Sequence, residues 1–126
     1  FTLTARAENY LRGNPNLDDV IRRLQAYEQA GADVLFAPAP PDLAAVRAVV
    51  AAVSRPVNFM VGIKGKSFTV AELTAAGVRR ISFASSLYRA ALSGMRTAAR
   101  EIQETGTFEY LDTALTTPEM NGFLLE

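Results

Sequence analysis

The sequence contains no cysteine and no histidine among its 126 residues. Without cysteine the chain has no disulfide framework and no thiolate nucleophile. Without histidine it also lacks the commonest general base and one of the commonest metal ligands. These two absences narrow the chemistry that the chain can perform by itself.

An excess of charge of either sign is also missing, since 13 basic residues face 13 acidic ones. No basic stripe follows any predicted helix, so we expect no nucleic-acid partner. The longest apolar run, Leu43 to Val53, contains Arg47 and is too short to cross a bilayer. No aspartates and glutamates have the spacing of a metal site. We expect a globular protein without a membrane partner, in the cytoplasm.

What the sequence does contain is an alternation of short apolar segments with helical patterns. The predicted strands are Phe1–Arg6, Ala32–Pro38, Pro56–Val61 and Val78–Ala84. Strands alternating with helices predict a parallel sheet built from βαβ units. Four βα units are half of an eight-stranded barrel, which takes roughly 250 residues. We therefore predict an α/β fold, the C-terminal half of a TIM (β/α)8 barrel over residues 1–106, with a helical tail over 107–126.

Local signals place the helix ends. Asn16 is a favourable N-cap, and Gly31 closes the first helix. The prolines at 40 and 41 are compatible with the start of the second helix, and Thr69 to Glu72 has the spacing of a capping box. We expect Ser85 or Ser86 to cap the last long helix.

Two apolar faces are predicted in the C-terminal quarter of the chain. The last long helix should bury Leu87, Ala91, Met95, Ala98 and Ile102. The tail, in which Thr117–Glu119 signals a short helix, should pack its own apolar face on the barrel bottom or on a neighbouring subunit. That face comprises Phe108, Tyr110, Leu111, Leu115, Met120, Phe123, Leu124 and Leu125.

Barrel enzymes carry their working residues at the carboxyl ends of strands, and this rule selects two candidates. Arg6 ends the first strand and offers a planar fork for a carboxylate or phosphate, unless it only pairs with an acid such as Glu8. Asn58 lies within an apolar strand. A buried amide must have its hydrogen bonds met, so Asn58 either contacts a ligand or is a satisfied core group.

A possible anion site follows the fourth strand. Ser85 and Ser86 stand at a helix N-terminus, which attracts anions, although serines there also serve as plain N-caps. Arg89, in the first turn of the same helix, opposes the helix dipole unless an anion or an acidic side chain offsets it.

Five segments together resemble the phosphoenolpyruvate mutase/isocitrate lyase superfamily. They are Thr4–Asn9, Arg23–Asp33, Arg55–Asn58, Glu72–Ser82 and Leu87–Ala91. The resemblance implies a (β/α)8 barrel whose last helix is often exchanged between subunits of a dimer or tetramer. It also implies Mg2+ and the making or breaking of C–C or P–C bonds in small 2-oxo or hydroxy carboxylates through enolate-like intermediates.

The resemblance carries over to individual residues. Arg6 matches an arginine that grips the substrate carboxylate, and Glu8 matches an acid just after it. Asn58 matches a substrate-contacting position, and Arg89 an arginine that lyase members use for a carboxylate. Pro38 departs from the pattern, because lyase members have glutamate there and the mutases histidine, so neither activity follows from this position.

Two classes of function remain open. The first is a Mg2+-dependent lyase or mutase, or a decarboxylase or hydrolase of oxaloacetate- or phosphonopyruvate-like acids. The residues that bind Mg2+ would then lie outside this segment, and the enzyme would be a homo-oligomer. The second is a non-catalytic half-barrel that binds an anion or serves as an assembly module. With open strand edges, a half-barrel should pair with another half or with a copy of itself.

Overall fold

A computed structural model describes residues 1–124 of the chain, and Leu125 of the predicted apolar tail lies outside these residues. The strands are β1 (Thr4–Arg6), β2 (Val34–Phe36), β3 (Val57–Met60) and β4 (Arg80–Ser82). The α-helices are α1 (Leu17–Gln29), α2 (Leu43–Ala52), α3 (Val70–Ala75), α4 (Ser86–Glu104) and α5 (Thr117–Gly122). Two short 3₁₀ helices, Asn9–Arg12 and Glu109–Asp112, were not predicted.

The four strands form one parallel sheet in the order β1-β2-β3-β4. Each strand therefore pairs with the next strand of the sequence, and a helix connects them. This sequential order of parallel βα units is the order found around a (β/α)8 barrel. The predicted fold class is confirmed, and the chain supplies about four βα units of that barrel.

Helices α1, α2 and α3 cover one face of the sheet. Leu35 of β2 and Val57 of β3 pack in a buried cluster with Val20 and Leu24 of α1. A second cluster joins Phe59 of β3 to α2 and α3. Because side chains alternate along a strand, the residues between these positions point to the opposite face of the sheet.

Two predicted helix starts are confirmed by their caps. The side chain of Asn16 accepts the backbone N–H of Asp19. Thr69 and Glu72 form the reciprocal bonds of a capping box at the start of α3. At the C-terminal end of α1, Gly31 follows the last turn with a φ of 98°, which a side chain would disfavour.

The start of α2 at the proline pair was wrong. This helix begins at Leu43, after Asp42, whose carboxylate accepts the N–H of Ala45. The carboxylate satisfies one of the N–H groups that the first turn leaves unpaired, so it fixes the helix start beyond the prolines.

The chain divides into two compact parts, Phe1–Ser86 and Leu87–Glu126. The predicted domain division at residue 106 stays a prediction. In the second part, the carboxylate of Glu101 on α4 accepts the hydroxyl of Thr107 at 2.8 Å and the N–H of Tyr110 at 3.0 Å. These bonds hold the 3₁₀ helix Glu109–Asp112 against α4. The predicted short helix is confirmed as α5, with Thr116 and Glu119 as its capping box.

The predicted burial of one face of α4 was wrong for this chain. Leu87 is 66% exposed, Met95 65% and Ile102 43%, and Ala91 is exposed as well. Ala98 is half-buried. Phe108 and Phe123 of the tail are also exposed, and packing of the tail on a neighbouring subunit stays a prediction. Periodicity identifies which face of a helix is apolar, but it does not supply the surface that covers that face.

Candidate carboxylate-binding site

Four side chains form one row across the sheet. Arg6 pairs in register with Phe36, Phe36 with Asn58, and Asn58 with Arg80. Register partners in neighbouring strands point to the same side of a sheet. The row lies on the face opposite α1 and α2, because the alternate residues Leu35 and Val57 pack against these two helices. In a closed barrel this is the inner face.

Arg6 ends β1 and lies over the ring of Phe36, with its guanidinium carbon 5.1 Å from the ring centroid. Its Nε also forms an ion pair with Glu8, and Arg12 approaches the second oxygen of Glu8 at 3.9 Å. The side chain of Arg6 is 45% exposed. Ion pairs this exposed contribute little to stability. Pairing through Nε leaves the two terminal nitrogens of the guanidinium to grip a carboxylate.

Asn58 is 2% exposed, and its amide has partners at both ends. Its Nδ2 donates to the Oγ of Ser82 at 3.0 Å, and its Oδ1 accepts from Arg80 at 2.9 Å. Asn58 is thus satisfied within the chain. An amide has two N–H groups and two oxygen lone pairs, so one of each remains for a ligand. Its predicted contact with substrate stays a prediction.

Arg80 is the member of this row that sequence analysis missed. It is the first residue of β4 and is exposed. The signal was on the partner side, because Asn58 was already marked as a buried amide that needs hydrogen-bond partners, and an arginine in the next strand can donate a hydrogen bond to it. Only the register between β3 and β4 shows that the two residues meet.

The segment after Arg6 is fixed by a second polar group that sequence analysis also missed. Asn9 is buried, and its amide donates to the carboxylate of Asp19 at 2.6 Å. Asp19 also accepts from Arg23 at 2.7 Å. The hydrogen bond from Arg23, together with that from Asn9, lowers the pKa of Asp19. The ionised carboxylate ties the 3₁₀ helix Asn9–Arg12 to the first turn of α1, so Glu8 and Arg6 are held from one side.

Backbone strain occurs at the carboxyl ends of two strands. Ala39, just beyond β2, has a φ of 63°, and Ala84, just beyond β4, has a φ of 48°. These left-handed conformations are costly for residues with a Cβ, and they concentrate at functional sites. Pro38 is fully buried beside Ala39. The strain thus falls in the two loops where a barrel enzyme would carry its site.

The predicted anion site after β4 has a different local geometry from that expected. Ser86 is the first residue of α4, and its hydroxyl donates to the carbonyl of Phe83 at 2.7 Å. As the first helical residue, Ser86 lies at position N1, and the N-cap position belongs to Ser85. Ser85 precedes α4 in an exposed turn. Arg89 lies in the first turn of α4 and belongs to the second compact part. An anion site at these residues stays a prediction.

Metal-binding groups are scarce. Among residues 1–124, no three aspartates or glutamates lie close enough together to hold a metal ion. Glu8, the acidic residue two positions after Arg6, already forms an ion pair with Arg6. The described residues therefore do not form a Mg2+ site by themselves. Within the same residues, no helix is long and apolar enough to cross a membrane.

These features define an α/β chain whose sheet carries two arginines and an amide on its open face. The phosphoenolpyruvate phosphomutase family matches residues 1–103, and the chain belongs to that family. It is 33% identical over 98 residues to 2-methylisocitrate lyase of Aeropyrum pernix. These aligned residues make up 76% of this chain and 32% of the relative.

Solved structures agree with this assignment. A Burkholderia cenocepacia J2315 protein described as a lyase/mutase superposes with a TM-score of 0.93 and 45% identity over 100% of this chain. Oxaloacetate acetylhydrolase, solved with its product oxalate, superposes with a TM-score of 0.81 and 25% identity over 96% of this chain. Phosphonopyruvate hydrolase, solved with oxalate and Mg2+, superposes with a TM-score of 0.76 and 27% identity over 98% of this chain. The chain spans 45%, 42% and 45% of these three proteins, which is less than half of each.

Proposed function

We propose that this chain forms the carboxylate-binding half of a lyase- or mutase-type enzyme acting on C–C or P–C bonds of small 2-oxo or hydroxy carboxylates. Arg6 would hold a carboxylate through its terminal guanidinium nitrogens. Asn58 would orient a second oxygen of the same acid. Arg89 would hold a further carboxylate. Separately, Ser85 and Ser86 would offer an anion site.

The observation that carries this proposal is the row across the sheet. Arg6 and Asn58 lie in one register line, on the face opposite α1, α2 and α3. The ring of Phe36 separates them and is itself buried. A planar cationic fork beside an apolar ring and a fixed amide suits a small planar dicarboxylate such as oxalate. Oxalate is bound by two of the similar proteins.

Mg2+ is proposed as a cofactor of the whole protein, because phosphonopyruvate hydrolase was solved with Mg2+. The described residues do not supply a metal site. We therefore expect its ligands from outside this segment, and the roles proposed for Arg6 and Asn58 do not depend on it.

Two narrower reactions remain within this proposal. A hydrolase or decarboxylase of oxaloacetate- or phosphonopyruvate-type acids is favoured by the likeness to two hydrolases. Pro38 occupies the position where the resemblance expects glutamate or histidine, so a reaction that needs neither group there is preferred. A homo-oligomer is proposed on the resemblance, and the cytoplasm is proposed as the default location.

The test uses the longest natural polypeptide that carries this chain, with Mg2+ and a panel of oxaloacetate-, phosphonopyruvate- and methylisocitrate-like acids. Arg6→Ala should lower kcat/KM on every active acid by about 100-fold or more, because a charge-assisted bidentate contact is lost. Arg55→Ala is the matched control, since Arg55 precedes β3 at the amino end of the sheet.

Each result has a defined reading. Unchanged turnover in Arg6→Ala would rule out the assigned role. Oxalate binding without turnover of any acid would favour the second candidate, a non-catalytic anion-binding module. Absence of both binding and turnover would remove the proposed function.

A further inference from the structure

We propose that Arg80 is a positioning residue that locks the Asn58 amide so that it presents an N–H, and not its oxygen, to the bound acid. This inference rests on the proposed function, because it assumes that an oxygen of the acid reaches Asn58. It adds a role for Arg80 and a preference at this point for ligand atoms that accept hydrogen bonds.

The lock follows from the donor chemistry of arginine. A guanidinium carries five N–H donors and no acceptor, so the Asn58 atom 2.9 Å from it must be the amide oxygen. Rotating the amide by half a turn would set its NH2 group against these donors. Because Asn58 is 2% exposed, water cannot relieve that repulsion.

The remaining hydrogen bonds determine which end of β4 each side of the Asn58 amide faces. The Nδ2 of Asn58 donates to the Oγ of Ser82 at 3.0 Å, and this Oγ donates to the carbonyl of Phe59 at 3.4 Å. Arg80 starts β4 and Ser82 ends it. The amide oxygen therefore faces the amino end of the strand, and the NH2 group faces the carboxyl end. Barrel enzymes bind substrate at the carboxyl end, so the second N–H of Asn58 is the group that an acid would meet there.

A ligand atom at this place must accept a hydrogen bond. Oxo and carboxylate oxygens satisfy this condition, whereas an amino or amide nitrogen brings a second donor against the first. We therefore infer a preference for an oxo or carboxylate oxygen over an isosteric N–H group. An unlocked asparagine could rotate to suit either ligand.

The experiment measures the dissociation constant of oxalate and of oxamate, in which an NH2 group replaces one oxygen, on the longest natural polypeptide that carries this chain. Arg80→Met should weaken oxalate binding about tenfold, as expected for loss of one charge-assisted hydrogen bond. The ratio of oxalate to oxamate affinity should fall as well. Arg80→Lys keeps a donor and should stay within about threefold of wild type.

A double-mutant cycle tests whether Arg80 acts through Asn58. In an Asn58→Ala background, Arg80→Met should have almost no further effect on oxalate affinity. Arg79→Met removes the same charge from the adjacent position and should leave affinity unchanged. The thermal unfolding midpoint of each variant, and the hydrogen exchange rate of the Asn58 side-chain amide in the free protein, report whether the fold and the lock persist. Exchange should be faster in Arg80→Met than in Arg80→Lys.

The outcomes separate this inference from the proposed function. If wild type binds oxalate but Arg80→Met weakens it equally in both backgrounds, Arg80 acts only as a charge and the inference is wrong. Unchanged affinity in Arg80→Met also overturns it, and the proposed function stands in both cases. If wild type neither binds oxalate nor turns over any acid, the proposed function and this inference fall together.

Discussion

The hydroxyl of Tyr10 is a buried polar group with no hydrogen-bond partner among the described residues. Tyr10 packs on the core cluster beside Ala7 and Tyr27. Burial, together with the negative charge of Asp42, raises the pKa of Tyr10. An unpaired buried hydroxyl costs about 1–3 kcal/mol.

Tyr10→Phe should therefore raise the free energy of unfolding by about 1 kcal/mol, because it removes the unpaired hydroxyl and keeps the ring. Urea denaturation of both proteins at neutral pH measures the difference. Tyr27→Phe is the matched control, since Tyr27 bonds to Arg23 and should lose stability when its hydroxyl is removed. A loss of stability in Tyr10→Phe would show that the hydroxyl has a partner in solution.

Single residues also show where sequence analysis stops. The strand-end rule selected Arg6, and the composition of β3 marked Asn58 as a buried amide. Arg80 was missed because its meaning depends on a register that only the paired strands define. Asn9 was missed for a related reason. Its partner Asp19 lies on α1, and the sequence indicated only that this aspartate interacts favourably with the helix dipole.

At the scale of elements, Glu28 links α1 to the connection between α2 and β3. Its Oε1 accepts the hydroxyl of Ser54 at 2.5 Å and the backbone N–H groups of Ser54 and Arg55, both at 2.9 Å. The side-chain bond from Ser54, supported by the two backbone bonds, lowers the pKa of Glu28. One carboxylate thus holds three donors of a loop that has no regular structure.

This carboxylate should make stability depend on pH in the acid range. A folded-state pKa below the unfolded value, about 4.3 for glutamate, gives stability that is present above that value. The stability is lost as the pH falls through the lowered folded pKa. Glu28→Gln should reduce the slope of the thermal midpoint against pH below about pH 5. Ser54→Ala, which removes only the hydroxyl, should reduce it less.

The measurement is the unfolding midpoint from pH 3 to pH 7 for wild type and both variants. A slope in Glu28→Gln equal to that of wild type would show that other carboxylates carry the acid sensitivity. Asp19 and Glu72 are the alternatives, because hydrogen bonds from Arg23 and from the backbone of Thr69, respectively, also lower their pKa.

Element ends were predictable where one side chain decides them. Asn16 and the Thr69–Glu72 pair cap their helices within the same few residues, so the spacing alone contained the answer. The start of α2 was misplaced because the prolines were assigned to its first turn, whereas the N-cap is Asp42, which follows them. Both 3₁₀ helices escaped prediction, since each is held by a carboxylate on a neighbouring helix: Asn9–Arg12 by Asp19 and Glu109–Asp112 by Glu101.

At the scale of the whole molecule, the order of the strands followed from the alternation of patterns, because parallel βα units leave few topologies. The burial of α4 did not follow. An amphipathic stripe indicates which face of a helix is apolar, but it does not identify the surface that covers this face. Leu87, Met95 and Ile102 are exposed, so the stripe shows where a covering surface is needed without identifying it.

The exposed stripe predicts how the isolated chain behaves. Strands β1 and β4 lie at the two ends of the sheet. Within the described residues, each has one edge that pairs with no other strand. Open edges and large exposed apolar patches favour association. We expect residues 1–126, as a separate polypeptide, to sediment as species heavier than the 13.6 kDa monomer and to become heavier with rising concentration.

Paired variants of α4 test whether its apolar stripe drives this association. Met95→Lys with Ile102→Lys should shift the distribution toward monomer, because a charge on the stripe must be desolvated for α4 to associate. Arg96→Lys with Arg100→Lys is the control, since both side chains lie on the same helix, are exposed and keep their charge. Circular dichroism must show equal helix content in all three proteins. A wild-type chain that stays monomeric across the whole concentration range would mean that the stripe and the open edges need no partner, and the half-barrel geometry would then lose its main physical consequence.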